Sequence, residues 1–297
     1  MGLCQYPHHV FLHDRGTRYH NPNITASGIV MEMNQMILLD MLILIAESKT
    51  MAGNEHQVTA EEFMQHRPSG EETADEVMLH VARMSLSEIS TGIKISPAMA
   101  SRVIRMAYEF PNKGLGYAAI EAFTGVVFKE FGYDLLSPAE KLMTDSTVRI
   151  ISSLYGWLRP SDIIKPYRFD FNTRLAPDNR TFSDYWRKDV TMNLVKDLQS
   201  LGEKTIINLL PGDAAKCIDW KLVKRFAKVY KVDFKELKAG GDYRTPHAGR
   251  LKAMRGELLR EIIRRGITSP ADLLDLATDN LLPLGTPDYP DHLAFLV

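Results

Sequence analysis

The sequence is poor in the residues that build disulfides and zinc sites. Its 297 residues include only two cysteines, Cys4 and Cys217, so neither a disulfide framework nor a cysteine-based zinc site has the required spacing. Chains with so little cysteine are typical of reducing compartments. We therefore predict a cytoplasmic protein.

Long apolar runs and a strong net charge are missing as well. The longest apolar run, residues 36–46, is interrupted by Asp40 and is too short to span a bilayer. The first 30 residues lack the basic start and apolar middle of a signal peptide. Because the formal net charge is −1, any attraction to nucleic acid must come from a local patch. These features predict no membrane partner, and none implies a stable protein partner.

The motifs of familiar enzyme classes do not occur. The sequence has no phosphate loop ending in Gly-Lys-Ser/Thr, no HExxH or CxxC, no GxGxxG dinucleotide fingerprint and no GxSxG serine elbow. Beyond the first 35 residues, no cluster of carboxylates and histidines has the spacing of metal ligands. We predict no cofactor and no metal site.

The two ends of the chain differ in composition from its middle. Residues 1–40 hold four of the nine histidines without sustained periodicity. They could be a metal-binding tract, but a poorly ordered leader is the favoured interpretation. Residues 41–283 are interpreted as one domain, and the proline-containing residues 284–297 as a loose tail.

Hydrophobic periodicity predicts an α+β fold, a single mixed α/β domain with a central sheet and surrounding helices. The predicted strands are 42–46, 124–131, 205–210 and 226–237, the last of them half-exposed. The predicted helices are 72–109 with a break near Gly92, 181–199, and a helix that begins at Pro246 and is capped by Gly266.

Aromatic and charged residues alternate in PYRFDF, residues 166–171. On a strand, the rings of Tyr167, Phe169 and Phe171 would share one face and belong to the core. Arg168 and Asp170 would then line the opposite face. They would either form a structural ion pair or hold a ligand, and both interpretations stay open.

Three further cations would suit an anionic ligand. Arg159 precedes Pro160, which favours an extended loop. Lys252 and Arg255 project within the apolar arc of the helix 246–265, where an unpaired guanidinium is costly. Side chains that extend to solvent, or a buried salt bridge, would explain these two cations, but a cleft that they line is the favoured interpretation. Residues 216–265 hold fifteen Lys and Arg against six Asp and Glu. This excess of positive charge would suit contacts with phosphates, or it would simply belong to solvent-exposed faces of a strand and a helix.

The segment LSEISTGIKISPAMASRVIRMA, residues 86–107, is similar to a helix-hairpin-helix. In that motif the hairpin amides and the following helix hold a DNA phosphate. Lys94 and Ser96 stand where the motif usually has glycine, and Arg102 follows on the second helix. A plain helical hairpin has a similar pattern, so the three residues are candidate DNA contacts only if the motif is present.

Several motifs together resemble the YaaA family of bacterial peroxide stress proteins. They are MLILIAESKTM (41–51), AFTGVVFKEF (122–131), SLYGWLRPSDIIKPYRFDFNTRL (153–175), FSDYWRKDVT (182–191), IINLL (206–210) and KAMRG (252–256). The resemblance extends from Met41 to about Pro283. It departs at AESKT, where the family has SPAKT, and after Asn208, where LLPGDAAK replaces the usual segment.

The resemblance implies a single α+β domain and a cytosolic protein that limits hydrogen peroxide damage and is linked to low available iron. It also implies DNA binding through a positively charged cleft and a helix-hairpin-helix. The cleft residues implied in this sequence are Lys49, Arg159, Tyr167, Arg168, Asn208, Lys252 and Arg255.

Two functions of different classes are therefore expected. The first is a protective protein that binds duplex or distorted DNA through its cations. The alternative is an enzyme that acts on a nucleotide, a base or damaged DNA, with Lys49 as a candidate Schiff-base nucleophile and Asp170 as its partner. Direct iron sequestration is a weaker third hypothesis, because metal-ligand clusters are missing from Met41 onward.

Overall fold

A mixed sheet of eight strands organises the computed structural model, which describes residues 41–52, 58–111, 116–202, 204–284 and 291–297. Its strands are β1 (Met41–Ala46), β3 (Val148–Ser152), β4 (Gly156–Leu158), β6 (Thr205–Asn208), β7 (Lys228–Leu237), β8 (Tyr243–Arg244), β9 (Leu282–Leu284) and β10 (His292–Leu296). Two short strands, β2 (Tyr117–Ala118) and β5 (Ile163–Ile164), pair with each other. The predicted leader, residues 1–40, lies outside the described residues.

The centre of the sheet is parallel. The strand order is β4–β3–β1–β6–β7–β10–β9, with β8 against β7. Strands β3, β1, β6, β7 and β10 run parallel, whereas β4, β8 and β9 are antiparallel to their neighbours. All six residues of β1 are buried, as expected for a central parallel strand covered on both faces. The predicted strands at 42–46, 205–210 and 226–237 are thus confirmed, with shorter bounds for the last two.

Ten α-helices are found in the described parts of the chain. They are α1 (Ala60–Gln65), α2 (Glu71–Ala82), α3 (Leu86–Ile93), α4 (Pro97–Glu109), α5 (Ala119–Ala122), α6 (Val126–Phe131), α7 (Pro138–Thr147), α8 (Phe182–Leu198), α9 (Trp220–Val223) and α10 (Ala248–Arg264). Together with the sheet they give the predicted mixed α/β domain, within the compact unit Leu38–Val297. None of these helices is both long enough and apolar enough to cross a membrane.

The strand predicted at 124–131 is wrong, because these residues form α6. Phe128 and Phe131, three positions apart, are both buried on one helical face. Gly132 ends the helix with a φ of 65°, the left-handed conformation that glycine adopts without strain. The short apolar run fitted either structure, and the glycine cap favours the helix.

The start of α10 also differs from the prediction by two residues. His247, not Pro246, precedes the first helical residue, and its side chain accepts a hydrogen bond from the Arg250 amide. Pro246 therefore lies just outside the helix. Gly266, with a φ of 62°, follows its end as predicted.

Residues 292–296, part of the predicted loose tail at 284–297, form strand β10 of the sheet, and residues 285–290 lie outside the described part of the chain. Strand β10 lies parallel to β7, and Phe295 is 1% exposed. The Phe295 ring packs against Phe234 of β7, with 6.2 Å between ring centroids. The prolines that suggested a loose segment come before β10, whose alternating residues Leu293 and Phe295 fill the core.

The segment 86–107 contains two helices, α3 and α4, joined by residues 94–96. Lys94 has a φ of 56° and caps α3, and the Ser96 hydroxyl accepts the Met99 amide at the start of α4. Both predicted contact residues are therefore helix caps. A helical hairpin is present, but its identity as a DNA-binding helix-hairpin-helix is not confirmed.

Candidate functional site

The carboxyl ends of β1 and β6 open into a cavity. Strand β1 lies between β3 and β6, so the chain continues from β1 first to one side of the sheet and later to the other. Ligands of open α/β sheets bind at such a reversal of strand order, outside the carboxyl ends of the strands. The cavity has a volume of about 290 Å³ and is lined by both loops, by the start of α6 and by residues 252 and 255 of α10.

We call this space the basic cavity. Its cationic lining residues are Lys49 after β1 and Lys252 and Arg255 of α10, and its carboxylates are Glu47, Asp170 and Asp213. Two distant segments of the sequence, the loop after β1 and the helix α10, thus supply the cations. Lys49, Lys252 and Arg255, each named from the sequence, lie at the same cavity.

Arg255 is half-buried in this wall. No hydrogen bond or ion pair joins its guanidinium to another described residue. Burial lowers the pKa of Arg255, and the nearby charge of Asp213 opposes that shift. A partly desolvated guanidinium without a bonded partner is costly, so an anion in the cavity would relieve it.

Lys49, unlike Arg255, forms an ion pair within the protein. Its Nζ lies 2.9 Å from Oδ2 of Asp170, and 62% of its side chain is exposed. Burial would raise the pKa of Asp170, but the ion pair with Lys49 outweighs it, and the pKa is lowered. Thr173 and the Asn172 amide add hydrogen bonds to the same carboxylate. Lys49 therefore reaches the cavity as a cation that already has one carboxylate partner.

Glu47 is the site residue that the sequence analysis missed. It follows β1 directly, and its Oε2 accepts a hydrogen bond of 2.8 Å from the Ser153 amide. The Tyr167 hydroxyl donates to the same oxygen and also lies 2.7 Å from the Ser152 hydroxyl. Burial raises the pKa of Glu47 to about 7, against the opposing effect of these hydrogen bonds. The available signal was a glutamate placed immediately after a fully buried strand.

Tyr167 has a structural role in this network. Its side chain is 4% exposed, and its hydroxyl is occupied by Glu47 and Ser152. Residues 165–170 belong to no strand, so the predicted strand is wrong here. The rings of Tyr167, Phe169 and Phe171 are nevertheless buried, while Arg168 and Asp170 are only half-buried. The Tyr167 hydroxyl is therefore occupied within the protein, although Tyr167 also lines part of a neighbouring opening.

A second opening lies beside the basic cavity, and we call it the methionine groove. It has a volume of about 290 Å³ and shares Lys49 and Thr50 with the basic cavity. Its other lining residues include Met51, Met99, Arg102, Met106, Pro166 and Arg168. The Arg168 guanidinium donates to the Lys49 carbonyl at 3.2 Å. The groove thus places Arg102 and Arg168, two predicted candidates, next to Lys49.

The remaining four candidates lie outside the lining of both spaces. The Arg159 amide donates to Asp162 in the turn after β4. The Asn208 side chain accepts the Leu210 amide, and Lys94 and Ser96 cap α3 and α4. Asn208 and Ser96 thus have local side-chain roles, whereas the contacts of Arg159 and Lys94 involve their backbones.

The parts of the chain that the structure describes contain no group of three or more His, Cys, Asp or Glu side chains placed to hold a metal ion. Cys217 is buried, and burial raises the pKa of its thiol. Cys4 and the four N-terminal histidines lie outside the described residues. The arrangement at the basic cavity is thus one of cations and carboxylates, suited to binding an anion and to exchanging a proton at Glu47.

Comparison with known proteins finds relatives along most of the chain. The family model described as peroxide stress protein YaaA matches residues 41–282. A UPF0246 protein of Parabacteroides distasonis is 31% identical over 241 residues, which cover 78% of this chain and 90% of the relative. A UPF0246 protein of Shewanella sp. strain ANA-3 is 32% identical over 239 residues, with the same coverage. A UPF0246 protein of Francisella tularensis subsp. novicida is 33% identical over 192 residues, covering 63% of this chain and 74% of the relative.

Proposed function

Because this chain belongs to the family of the peroxide stress protein YaaA, we propose that it limits hydrogen peroxide damage by binding DNA phosphates in the basic cavity. The observation that carries this proposal is Arg255, a half-buried guanidinium in the cavity wall without a bonded partner. A phosphate oxygen is a matching acceptor, because guanidinium and phosphate form strong charge-assisted hydrogen bonds. Lys252, one turn earlier on α10, would contact the same or the next phosphate.

The charge of the cavity supports an anionic ligand. Asp170 pairs with Lys49, and Asp213 lies near Arg255. The third carboxylate, Glu47, has its pKa raised to about 7. With Glu47 protonated, the cations of the lining outnumber its anions, and Arg102 and Arg168 of the methionine groove add to the excess. Binding is therefore expected to be strongest at or below neutral pH.

The test is the affinity of the full chain for a fluorescein-labelled 20-base-pair DNA, measured by fluorescence anisotropy at low salt. We expect Arg255→Gln to weaken binding about tenfold, the size of a lost charge-assisted contact. Arg264→Gln is the matched control, since Arg264 is exposed on the same helix and outside the cavity lining. It should keep the wild-type affinity within about twofold. No binding by the wild type at low salt, or equal losses in both variants, would refute the proposal.

Two further features belong to the same proposal. We place the protein in the cytoplasm, where it meets DNA, and we treat lowered available iron as an effect that accompanies protection. Electron paramagnetic resonance of chelatable iron in peroxide-treated cells would measure that effect. Cells with Arg255→Gln and with wild-type protein at equal levels would show whether it depends on the basic cavity.

A second candidate function is an enzyme that acts on a nucleotide, a base or damaged DNA in the same cavity. Glu47 favours it, because a carboxyl group with a pKa of about 7 can both give and take a proton near neutral pH. Lys49 is the candidate Schiff-base nucleophile, although its ammonium is paired with Asp170. Borohydride trapping on abasic DNA tests this function. An adduct lost in Lys49→Arg would support it, and the absence of an adduct would argue against it.

A further inference from the structure

The methionine groove combines two kinds of side chain that seldom line one opening. Met51, Met99 and Met106 supply thioethers, whereas Arg102, Arg168 and Lys49 supply positive charge. None of the described residues that line the groove is acidic. The groove therefore complements a ligand with both an apolar, polarisable part and an anionic part.

One face of α4 forms a wall of the groove. Met99, Arg102 and Met106 are three and four residues apart, so their side chains share one side of the helix. Arg102 is exposed, and no ion pair joins it to another residue that the structure describes. The helix thus presents a free guanidinium between two methionines.

The opposite wall is held by backbone contacts. The Tyr167 amide lies 3.4 Å from the Met51 sulfur, and Met51 pairs with Phe123 through an isolated bridge. The Arg168 guanidinium donates to the Lys49 carbonyl. These contacts fix the position of one thioether and one guanidinium before any ligand binds.

The size of the groove and its neighbour narrow the class of ligand. A volume of about 290 Å³ is at the lower end for small-molecule sites and suits one or two flat rings, not a double helix. Lys49 and Thr50 line both this groove and the basic cavity. A chain that carries rings and phosphates in alternation would therefore contact both spaces. In a duplex the base faces are stacked and cannot reach the methionines.

We propose that the methionine groove binds the unpaired bases of a single-stranded nucleic acid, whose phosphates contact Arg102 and Arg168. Methionine is flexible and polarisable, so it can cover the face of any base without selecting a sequence. The inference rests on the proposed function, because the strand would continue into the basic cavity. It adds a preference of this protein for unpaired over paired nucleic acid.

The experiment compares a fluorescein-labelled 15-nucleotide single strand with a blunt duplex of the same sequence. The Met99→Ala/Met106→Ala variant is expected to weaken single-strand binding about 5- to 20-fold, the lower part of the range for a lost base contact. Its duplex binding should stay within about twofold of wild type. Met64→Ala/Met192→Ala is the matched control, since both methionines are exposed and outside the groove lining.

A second variant guards against a folding defect, because Arg102 is exposed and its replacement disturbs no core residue. Arg102→Gln should reduce the salt dependence of single-strand binding by about one phosphate contact. Equal losses for single strand and duplex in the methionine variant, or no loss in either variant, would overturn the groove inference. If only Arg255→Gln weakens binding, the proposal for the basic cavity is supported and the groove inference is refuted. If only the groove variants weaken binding, the groove inference is supported and the proposal for the basic cavity is refuted. A wild type that binds neither single-stranded nor duplex DNA refutes both proposals.

Discussion

At the scale of single residues, Glu47 has the most consequential surroundings. Its carboxylate lies at the end of a fully buried strand and accepts hydrogen bonds from the Ser153 amide and the Tyr167 hydroxyl. Burial still raises its pKa from 4.5 to about 7. The folded protein therefore holds a proton on Glu47 that the unfolded chain releases at lower pH.

This difference predicts how stability depends on pH. Because the folded pKa lies above the unfolded value, the contribution of Glu47 is fully present below pH 4.5 and is lost as pH rises through about 7. The loss is at most about 3 kcal/mol at higher pH. Urea unfolding at pH 5, 6, 7 and 8 measures it, and Glu47→Gln should remove this part of the slope.

The control for this prediction is Glu109→Gln, since Glu109 is exposed on α4. It should keep the pH dependence of the wild type. Parallel pH profiles for the wild type and Glu47→Gln would show that Glu47 is ionised in the folded protein. Glu47→Gln should also flatten the pH dependence of DNA binding between pH 6 and 8, because the glutamine side chain stays neutral.

At the scale of elements, the contact between α6 and α10 positions Arg255. Gly256 follows Arg255, and a Cβ atom at Gly256 would lie 2.7 Å from the Glu130 Cβ and would also collide with the Val127 carbonyl. The absence of a side chain therefore permits the close approach of the two helices. The first residues of α6 and the residues Lys252 and Arg255 of α10 line the basic cavity, so the spacing of the two helices sets the position of these cations.

Gly256→Ala should consequently destabilise the protein by about 1–3 kcal/mol, the usual cost of overpacking. Gly249→Ala on the same helix is the control, because its Cβ would meet only the His247 ring at 3.2 Å. There the higher helix propensity of alanine favours folding. Thermal and urea unfolding of both variants measure the difference. Equal stability of the two would contradict the tight contact at Gly256.

Only some of these helices and strands could be predicted from the sequence alone. The buried strands β1 and β6 and the helix α8 follow from apolar runs and from the Thr181 cap, which are local signals. Strand β10 could not be predicted from local signals, because it is ordered by pairing with β7, about sixty residues earlier in the chain. The helix α6 was missed because a short apolar run fits both a strand and a helix.

The candidate site divides in the same way. Helical periodicity placed Lys252 and Arg255 on an inward face, and the family resemblance supplied Lys49. Arg255 is half-buried as predicted, whereas Lys252 lines the cavity but is exposed. The carboxylates near these cations, Asp170 paired with Lys49 and Asp213 near Arg255, depend on tertiary contacts between distant segments. The alternation of residues 166–171 predicted Tyr167 as a core residue, whereas the family resemblance implied a contact with DNA. In the structure Tyr167 is buried, and its hydroxyl donates to Glu47. Burial of that kind cannot be read from spacing.

At the scale of the whole molecule, charge is distributed unevenly on a nearly neutral chain. The formal net charge is −1, so the long-range field is weak, and the proposed DNA binding would depend on the two adjoining spaces. Five cations line the basic cavity or the methionine groove, two spaces that share Lys49 and Thr50: Lys49, Arg102, Arg168, Lys252 and Arg255. A local site of this size would neutralise only a few phosphates.

The salt dependence of duplex binding tests this account most directly, because its slope counts the phosphates that the protein neutralises. It would be measured as the logarithm of the association constant against the logarithm of salt concentration, for the wild type, Arg255→Gln and Arg264→Gln. We predict a wild-type slope equivalent to a few phosphates, a slope smaller by about 0.9 in Arg255→Gln, and no change in Arg264→Gln. An Arg255→Gln slope identical to that of the wild type would show that no phosphate occupies the basic cavity.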